Sequence, residues 1–259
     1  MKQLLNVPLI LLLFSFILPS YAKTVFILIH GTWAKQAWYL PDGDFFNAVE
    51  QRAQQYNAVV VPYCWSGKNN YKARINAAKS LVRLIQSYPP ETTLCLITHS
   101  HGGNIGIIAS QLLACIPASN KINIFYALGT PVNTKEYQPN MNTIHYFYNF
   151  FSFEDFIQPV LGFFEREYLP HERIINIRIT INKKEPSHTK LHSPLVGQWL
   201  PFLHEFLTTF IPLFDFTHPG IIHFANNQNP YYEIDNKRKH LLSRDKLLTK
   251  MIVTSFFRK

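Results

Sequence analysis

The chain has 259 residues, 47% of them hydrophobic with 21 Phe and 13 Tyr, which suits one well-packed core and is short for two. Charged residues make up only 16%, with 10 Gly and 17 Pro, and this composition excludes a low-complexity or disordered chain. The net charge of +9 could suit nucleic acid or an anionic surface, yet eight Lys or Arg fall between Lys237 and Lys259 against the single acid Asp245. The excess therefore belongs to the tail, and no nucleic-acid-binding motif accompanies it.

At the start, Met1-Lys2-Gln3 leads into the apolar run Leu4 to Leu18, which closes in Pro19-Ser20-Tyr21-Ala22. The run is short for a bilayer, and small residues at Ser20 and Ala22 fit a cleavage site. Residues 1–22 are thus expected to be a secretory signal peptide, with export to the periplasm or beyond; an uncleaved membrane anchor is the alternative. One main domain over 23–214 and a basic extension over 215–259, packed on it or trailing from it, complete the expected organisation.

Short β-branched apolar runs then alternate with helical patterns. Strands are expected at 24–29, 58–63, 93–97, 122–128, 143–148 and 174–181. Between them, acids open a helix over 42–56, and Ile75, Ala78, Leu81, Val82 and Ile85 mark the apolar face of one over 69–88, stopped by Pro89-Pro90. Further helices are expected at 102–113 and at 195–210, the latter interrupted by Pro201. This order predicts an α/β fold: a mostly parallel open sheet of about six or more strands with helices on both faces. The stretch 132–142 is short and polar, leaving little or no lid insertion, and the aromatic segment 156–168 is expected to form a small cap instead. The tail reads as a loop over 217–230 and a basic helix over 234–252. Cys64, Cys95 and Cys115 each lie in or beside apolar sequence and read as buried small hydrophobes; a Cys64–Cys115 or Cys64–Cys95 bridge is the alternative.

The chemistry concentrates in Thr98-His-Ser-His-Gly-Gly103, which follows a buried strand and opens a helix. A strand-to-helix turn of this kind pushes one side chain into the open, the context of a nucleophile elbow written G-x-S-x-G. Here Thr98 stands at the first glycine position and Gly102 at the last. The competing reading makes Ser100 an ordinary helix cap. With Phe26-Ile-Leu-Ile-His-Gly-Thr-Trp33 ending the first core strand in His-Gly, the chain resembles an α/β-hydrolase on the lipase and esterase side over roughly Thr24 to Phe210.

That resemblance implies Ser100 as nucleophile and the backbone N–H groups of Thr32 and His101 as the oxyanion hole, with His30 holding the loop. A serine hydroxyl needs a histidine to accept its proton and a carboxylate to orient that histidine. The family order of serine, acid, histidine points to Asp155, with Glu154 as competitor, in the loop after the strand ending near Tyr148. It points to His188, with His192 as alternative, in Glu185-Pro-Ser-His-Thr-Lys-Leu-His-Ser-Pro194. His99 reads as a packed or hydrogen-bonded histidine. His145, His171, His204, His218 and His223 lack metal-ligand spacing, and no H-E-x-x-H or paired-Cys motif occurs, so neither metal nor cofactor is expected.

Trp33, Trp38 and Tyr39, with Phe150, Phe151, Phe153 and Phe156, are expected to border the pocket and suit an apolar acyl group. Leu128-Gly-Thr-Pro131 resembles a lipase segment and tilts the reading towards a small-molecule or lipid ester. The alternative is a non-catalytic protein of the same fold that docks on anionic membrane through its basic tail.

Overall fold

The computed structural model describes residues 24–34, 37–162, 165–208, 219–234 and 238–241. Apolar runs form the strands β1 (Thr24–Ile29), β2 (Ala58–Tyr63), β3 (Thr93–His99), β4 (Ile122–Leu128), β5 (Ile144–Phe151), β6 (Ile174–Ile181) and β7 (Gly220–Phe224), all parallel. Two further strands, β8 (Tyr231–Ile234) and β9 (Arg238–Leu241), fold back antiparallel. The nine stand in the order β2, β1, β3, β4, β5, β6, β7, β8, β9. The connections carry helices α1 (Asp44–Ala53), α2 (Tyr71–Gln86), α3 (His101–Leu113), α4 (Ile157–Leu161), α5 (Pro194–Gly197) and α6 (Leu200–Thr208).

Side chains alternate across a pleated strand, so a strand that is apolar throughout must bury both faces. β1 does so. Val25, Ile27 and Ile29 join the core under α2 and α3, with Ala78, Leu81, Ile85, Ile105 and Leu113. Phe26 and Leu28 join the opposite core under α1, α5 and α6, with Phe45, Val49, Val196, Leu203 and Leu207. The mostly parallel sheet with helices on both faces is therefore the observed architecture.

The strand order turns around between β1 and β3, since the chain runs outward from β1 to β2 and then returns to place β3 on the other side. At such a switch point the loops leaving the carboxyl ends of the two strands part, and a crevice opens between them. His30 and Gly31 leave β1 there, and Ser100 leaves β3.

Several elements differ from their sequence reading. The helix expected over 42–56 is α for ten residues and tightens into a 3₁₀ turn at Gln54–Tyr56. The helix expected over 195–210 is two, and the break falls at Gln198 and Trp199, not at Pro201; the proline sits in the first turn of α6, where its missing N–H costs nothing. The tail reading is corrected more deeply. Residues 220–224, expected as loop, are β7, and 231–234 and 238–241, the latter expected as basic helix, are a β-hairpin. Gly220, Ile222 and Phe224 are buried while Ile221 and His223 are not, a period of two that the flanking Pro, Gly and Asn residues obscure. Residues 242–252 of that expected helix, like the expected signal peptide, lie outside the described residues. Of the cysteines only Cys95 is buried; Cys64 and Cys115 are exposed, and all three are free thiols.

Leu96 lies fully buried at the middle of β3, the strand that carries Ser100 at its end. Leu96→Ala should lower unfolding stability by about 2–5 kcal/mol in denaturant titration, the cost of a buried cavity. A change below about 1 kcal/mol would contradict a close-packed β3.

Candidate active site

Ser100 sits between β3 and α3 with φ 54° and ψ −135°. A positive φ is strained for a residue with a side chain, and a sharp turn at this place is what projects a nucleophile from the end of a strand. Its backbone N–H donates to Leu128 O at 3.0 Å, tying the turn to β4. The serine side chain makes no cap on α3, so the competing reading as an ordinary helix cap does not hold. Thr98, standing where a glycine is usual, is fully buried and donates its hydroxyl to Tyr126 O at 3.2 Å. The neighbouring strand thus absorbs the extra polar atom.

Across the switch point, Gly31 lies against the serine: a methyl group there would come within 2.7 Å of Ser100 Cβ and 3.3 Å of its Oγ. The loop is held by His30, whose ring stacks on Tyr39 and Trp65 with centroids 4.3 and 5.5 Å away. His30 Nδ1 donates to Gly31 O at 2.7 Å, while Nε2 accepts from Trp65 N–H at 3.3 Å. Trp65 Nε1 donates back to His30 O at 2.8 Å. Both ring nitrogens are thereby used as a neutral imidazole uses them, and burial moves the His30 pKa down.

The acid and base loops meet behind this crevice. Asp155, fully buried, accepts a hydrogen bond from His188 Nδ1 at 2.7 Å on Oδ2 and from the backbone N–H groups of Ile157 and Gln158, each at 3.0 Å, on Oδ1. Both carboxylate oxygens therefore find donors away from water. Glu154 is exposed; only its backbone N–H joins the loop, donating to Ser152 Oγ. His192 lies near the site but stacks on Trp38, centroids 4.4 Å apart, and takes no carboxylate among the described residues. His188 opens the 3₁₀ turn His188–His192 and Leu191, three residues on, is fully buried.

Ser100 and His188 line one cavity of about 380 Å³ together with Gly31, Thr32, Trp33, Ala34, Trp38, His99, Ile157, Leu161, Thr189 and His192. Ser100 Oγ itself has no hydrogen bond among the described residues. Thr32 borders this space from the β1 loop and His101 opens α3 directly behind Ser100. The His101 side chain is occupied elsewhere, on the Asn104 amide at 3.0 Å. Of the aromatics expected at the pocket, Trp33 and Trp38 line it; Phe150 and Phe151 are core, and Phe153 and Phe156 are exposed. α4 supplies Ile157 and Leu161 as a partial cap.

One residue escaped the sequence reading, while His99 is the packed and hydrogen-bonded histidine expected. Gly129 has φ +57°, and a methyl group there would lie 2.6 Å from Leu191 Cδ1, 2.9 Å from Asp155 Oδ2 and 3.3 Å from His188 Nδ1. Glycine is thus required twice, by backbone and by space; its position in Leu128-Gly-Thr-Pro131 was the available signal. His99 donates from Nε2 to His188 O at 3.0 Å and packs 4.5 Å from both the His188 and His192 rings.

No family model matches this chain, and neither does any curated protein. Among solved structures, it is similar to a protein from Xanthomonas campestris pv. campestris described as a hydrolase of the α/β superfamily, at 12% identity and a TM-score of 0.45, covering 71% of this chain and 98% of that one. A cutinase-like protein from Cryptococcus sp. aligns at 14% identity and a TM-score of 0.43, covering 73% and 95%. A metagenomic carboxyl esterase aligns at 11% and 0.35, covering 62% of this chain; the chain spans about half, 51%, of its length. Among the described residues no helix is long and apolar enough to cross a membrane, and no cluster of His, Cys, Asp and Glu could hold a metal ion.

Burial moves the His99 pKa well below its ordinary 6.5, with the neighbouring His188 and His192 adding to the effect. Burial, then the Arg74 charge, moves His101 down to about 3, and burial moves His192 down to about 4. These imidazoles take up protons more readily in the unfolded chain than in the fold. The unfolded state holds more protons below about pH 6.5, so stability is full above that value and falls as the pH drops towards 4, by up to roughly 1.4 kcal/mol per pH unit for each histidine. Thermal melts from about pH 7.5 down to about pH 5 should show Tm falling below pH 6.5; a flat profile would contradict neutral, buried histidines at the site.

Proposed function

We propose that this protein is a serine hydrolase of the α/β-hydrolase type that cleaves carboxylic esters through Ser100, His188 and Asp155. The observation that carries the reading is the 2.7 Å bond from His188 Nδ1 to a fully buried Asp155, beside a serine held at positive φ in the same cavity. A buried carboxylate on Nδ1 fixes the imidazole tautomer that leaves Nε2 free to accept a proton, and it stabilises the imidazolium that results.

In this reading Ser100 Oγ attacks the ester carbonyl carbon as its proton passes to His188 Nε2. The carbonyl π electrons move to oxygen, where the N–H groups of Thr32 and His101 receive the negative charge. Preorganised donors of this kind are worth about 3–4 kcal/mol each in a transition state. Collapse of the intermediate expels the alcohol, which takes the proton from His188. Water, activated by the same histidine, then attacks the acyl-serine and releases the acid. Thr32 follows Gly31, at which a methyl group would come within 2.7 Å of Ser100 Cβ, and this closeness of the two loops supports the choice of donors.

The cavity suits an apolar acyl group, because Trp33, Ala34, Trp38, Ile157 and Leu161 line it around the polar groups of the site. With 132–142 short and α4, among the described residues, the sole element of the cap, the rate on dispersed short-chain esters should rise smoothly with concentration; a steep jump at the micellar threshold would contradict a site without a closing lid. Export through residues 1–22 fits such an enzyme and belongs to the same proposal. The alternative of a lipid-docking protein rests on a basic tail of which residues 242–259 lie outside the described structure, and no observation favours it.

A fluorophosphonate probe tests the reading. Ser100 should be labelled, labelling should vanish in Ser100→Ala, and Asp155→Asn should lower kcat on a soluble ester by roughly 10⁴-fold through the wrong imidazole tautomer. A folded protein that is neither labelled nor active on any ester would overturn it.

A further inference from the structure

Asp155 and His188 sit on different loops, and something must hold those loops in register. Glu185 lies three residues before His188, with its side chain largely buried. Its Oε2 accepts from Ser152 Oγ at 2.8 Å and from Phe153 N–H at 2.9 Å, and its Oε1 pairs with Arg178 Nε of β6. One carboxylate on the histidine loop therefore grips the first two residues of the acid loop while anchored to the sheet. The loop's carbonyls are gathered from the other side by Arg166, which donates to Ser152 O at 2.9 Å, Asp155 O at 2.7 Å and Phe153 O at 3.3 Å. Phe153, although exposed, lies against both guanidinium groups, 5.7 Å from Arg166 and 4.6 Å from Arg178.

We infer that Glu185 is a positioning residue of the reaction: it ties the loop of Asp155 to the loop of His188 and so sets the geometry of their hydrogen bond. The inference rests on the hydrolase reading above for its kinetic consequence, though not for the structural one. Neither Asp155 nor His188 is bonded to Glu185, so its effect passes through Ser152 and Phe153. A shift of the acid loop by about 1 Å would be enough to cost on the order of 10²-fold in rate. Charge-assisted bonds suit the task because they are short and directional.

The test uses the full chain carrying Glu185→Ala, Glu185→Gln or Ser152→Ala, with active sites counted by fluorophosphonate labelling. Glu185→Ala should lower kcat per labelled site roughly 10²-fold with KM within about twofold. Glu185→Gln, which keeps an acceptor for Ser152 and Phe153, should recover most of the rate. Ser152→Ala, a milder change that keeps the Phe153 bond, should lose roughly tenfold and covers the case in which Glu185→Ala does not fold. Independently of turnover, the far-downfield proton NMR signal of His188 Nδ1–H, identified by its loss in His188→Ala, should broaden or disappear in Glu185→Ala and persist in Glu185→Gln. An unchanged signal and unchanged kcat in Glu185→Ala and Ser152→Ala, even with a lowered Tm, would overturn the inference. If the wild-type protein shows that signal and its dependence on Glu185 but no Ser100-dependent turnover, the positioning role stands and the hydrolase reading falls.

Discussion

The arrangement depends on one buried hydrogen bond, His188 to Asp155. A carboxylate removed from water must find donors or be penalised by several kcal/mol. Asp155 finds three: the imidazole and two backbone N–H groups at the start of α4. That requirement places α4 directly after the acid loop, and α4 in turn presents Ile157 and Leu161 to the cavity. It also explains Gly129, since any side chain there would strike both partners of the bond. The cavity lining and the His188–Asp155 bond thus share one structural cause.

The sheet supplies the other half. β1 and β3 are adjacent but their connections leave in opposite directions, so the carboxyl ends of these strands are open where other neighbouring strands are bridged. Ser100, pushed up at positive φ, and the His30-Gly31 loop come together in that gap. His30 spends both ring nitrogens on backbone, and Trp65 braces it by two bonds, so the loop facing the serine is fixed by packing as much as by chain connectivity.

The fold was largely legible because β1, β3 and β4 are apolar on both faces and α1, α2 and α6 carry apolar stripes; β1, β2, β4 and β6 begin and end where the pattern says. The sharp strand-to-helix turn was legible from Ser100 and Gly102 despite Thr98, whose hydroxyl finds a carbonyl on the next strand, a contact no local pattern could reveal. Asp155 and His188 could be picked out by order along the chain, and their separation of 33 residues closes only in three dimensions. The tail was misread because the basic run Lys237 to Lys239 followed by Leu241 and Leu242 suits a solvated helix locally, and only pairing with β8 makes a strand of Arg238–Leu241. Glu185 and Arg166 belong to no motif that would mark them in the sequence. Apart from Ser152 Oγ and Arg178, the hydrogen-bond partners of these side chains are backbone groups on a distant loop, and backbone groups leave no mark in a sequence.

The most direct measurement is the pre-steady-state reaction with a chromogenic ester, followed by mass spectrometry of the quenched protein. The account predicts a burst of one alcohol per enzyme molecule and an acyl adduct on Ser100, absent in Ser100→Ala. Turnover that persists in Ser100→Ala, or an adduct on any other residue, would contradict it.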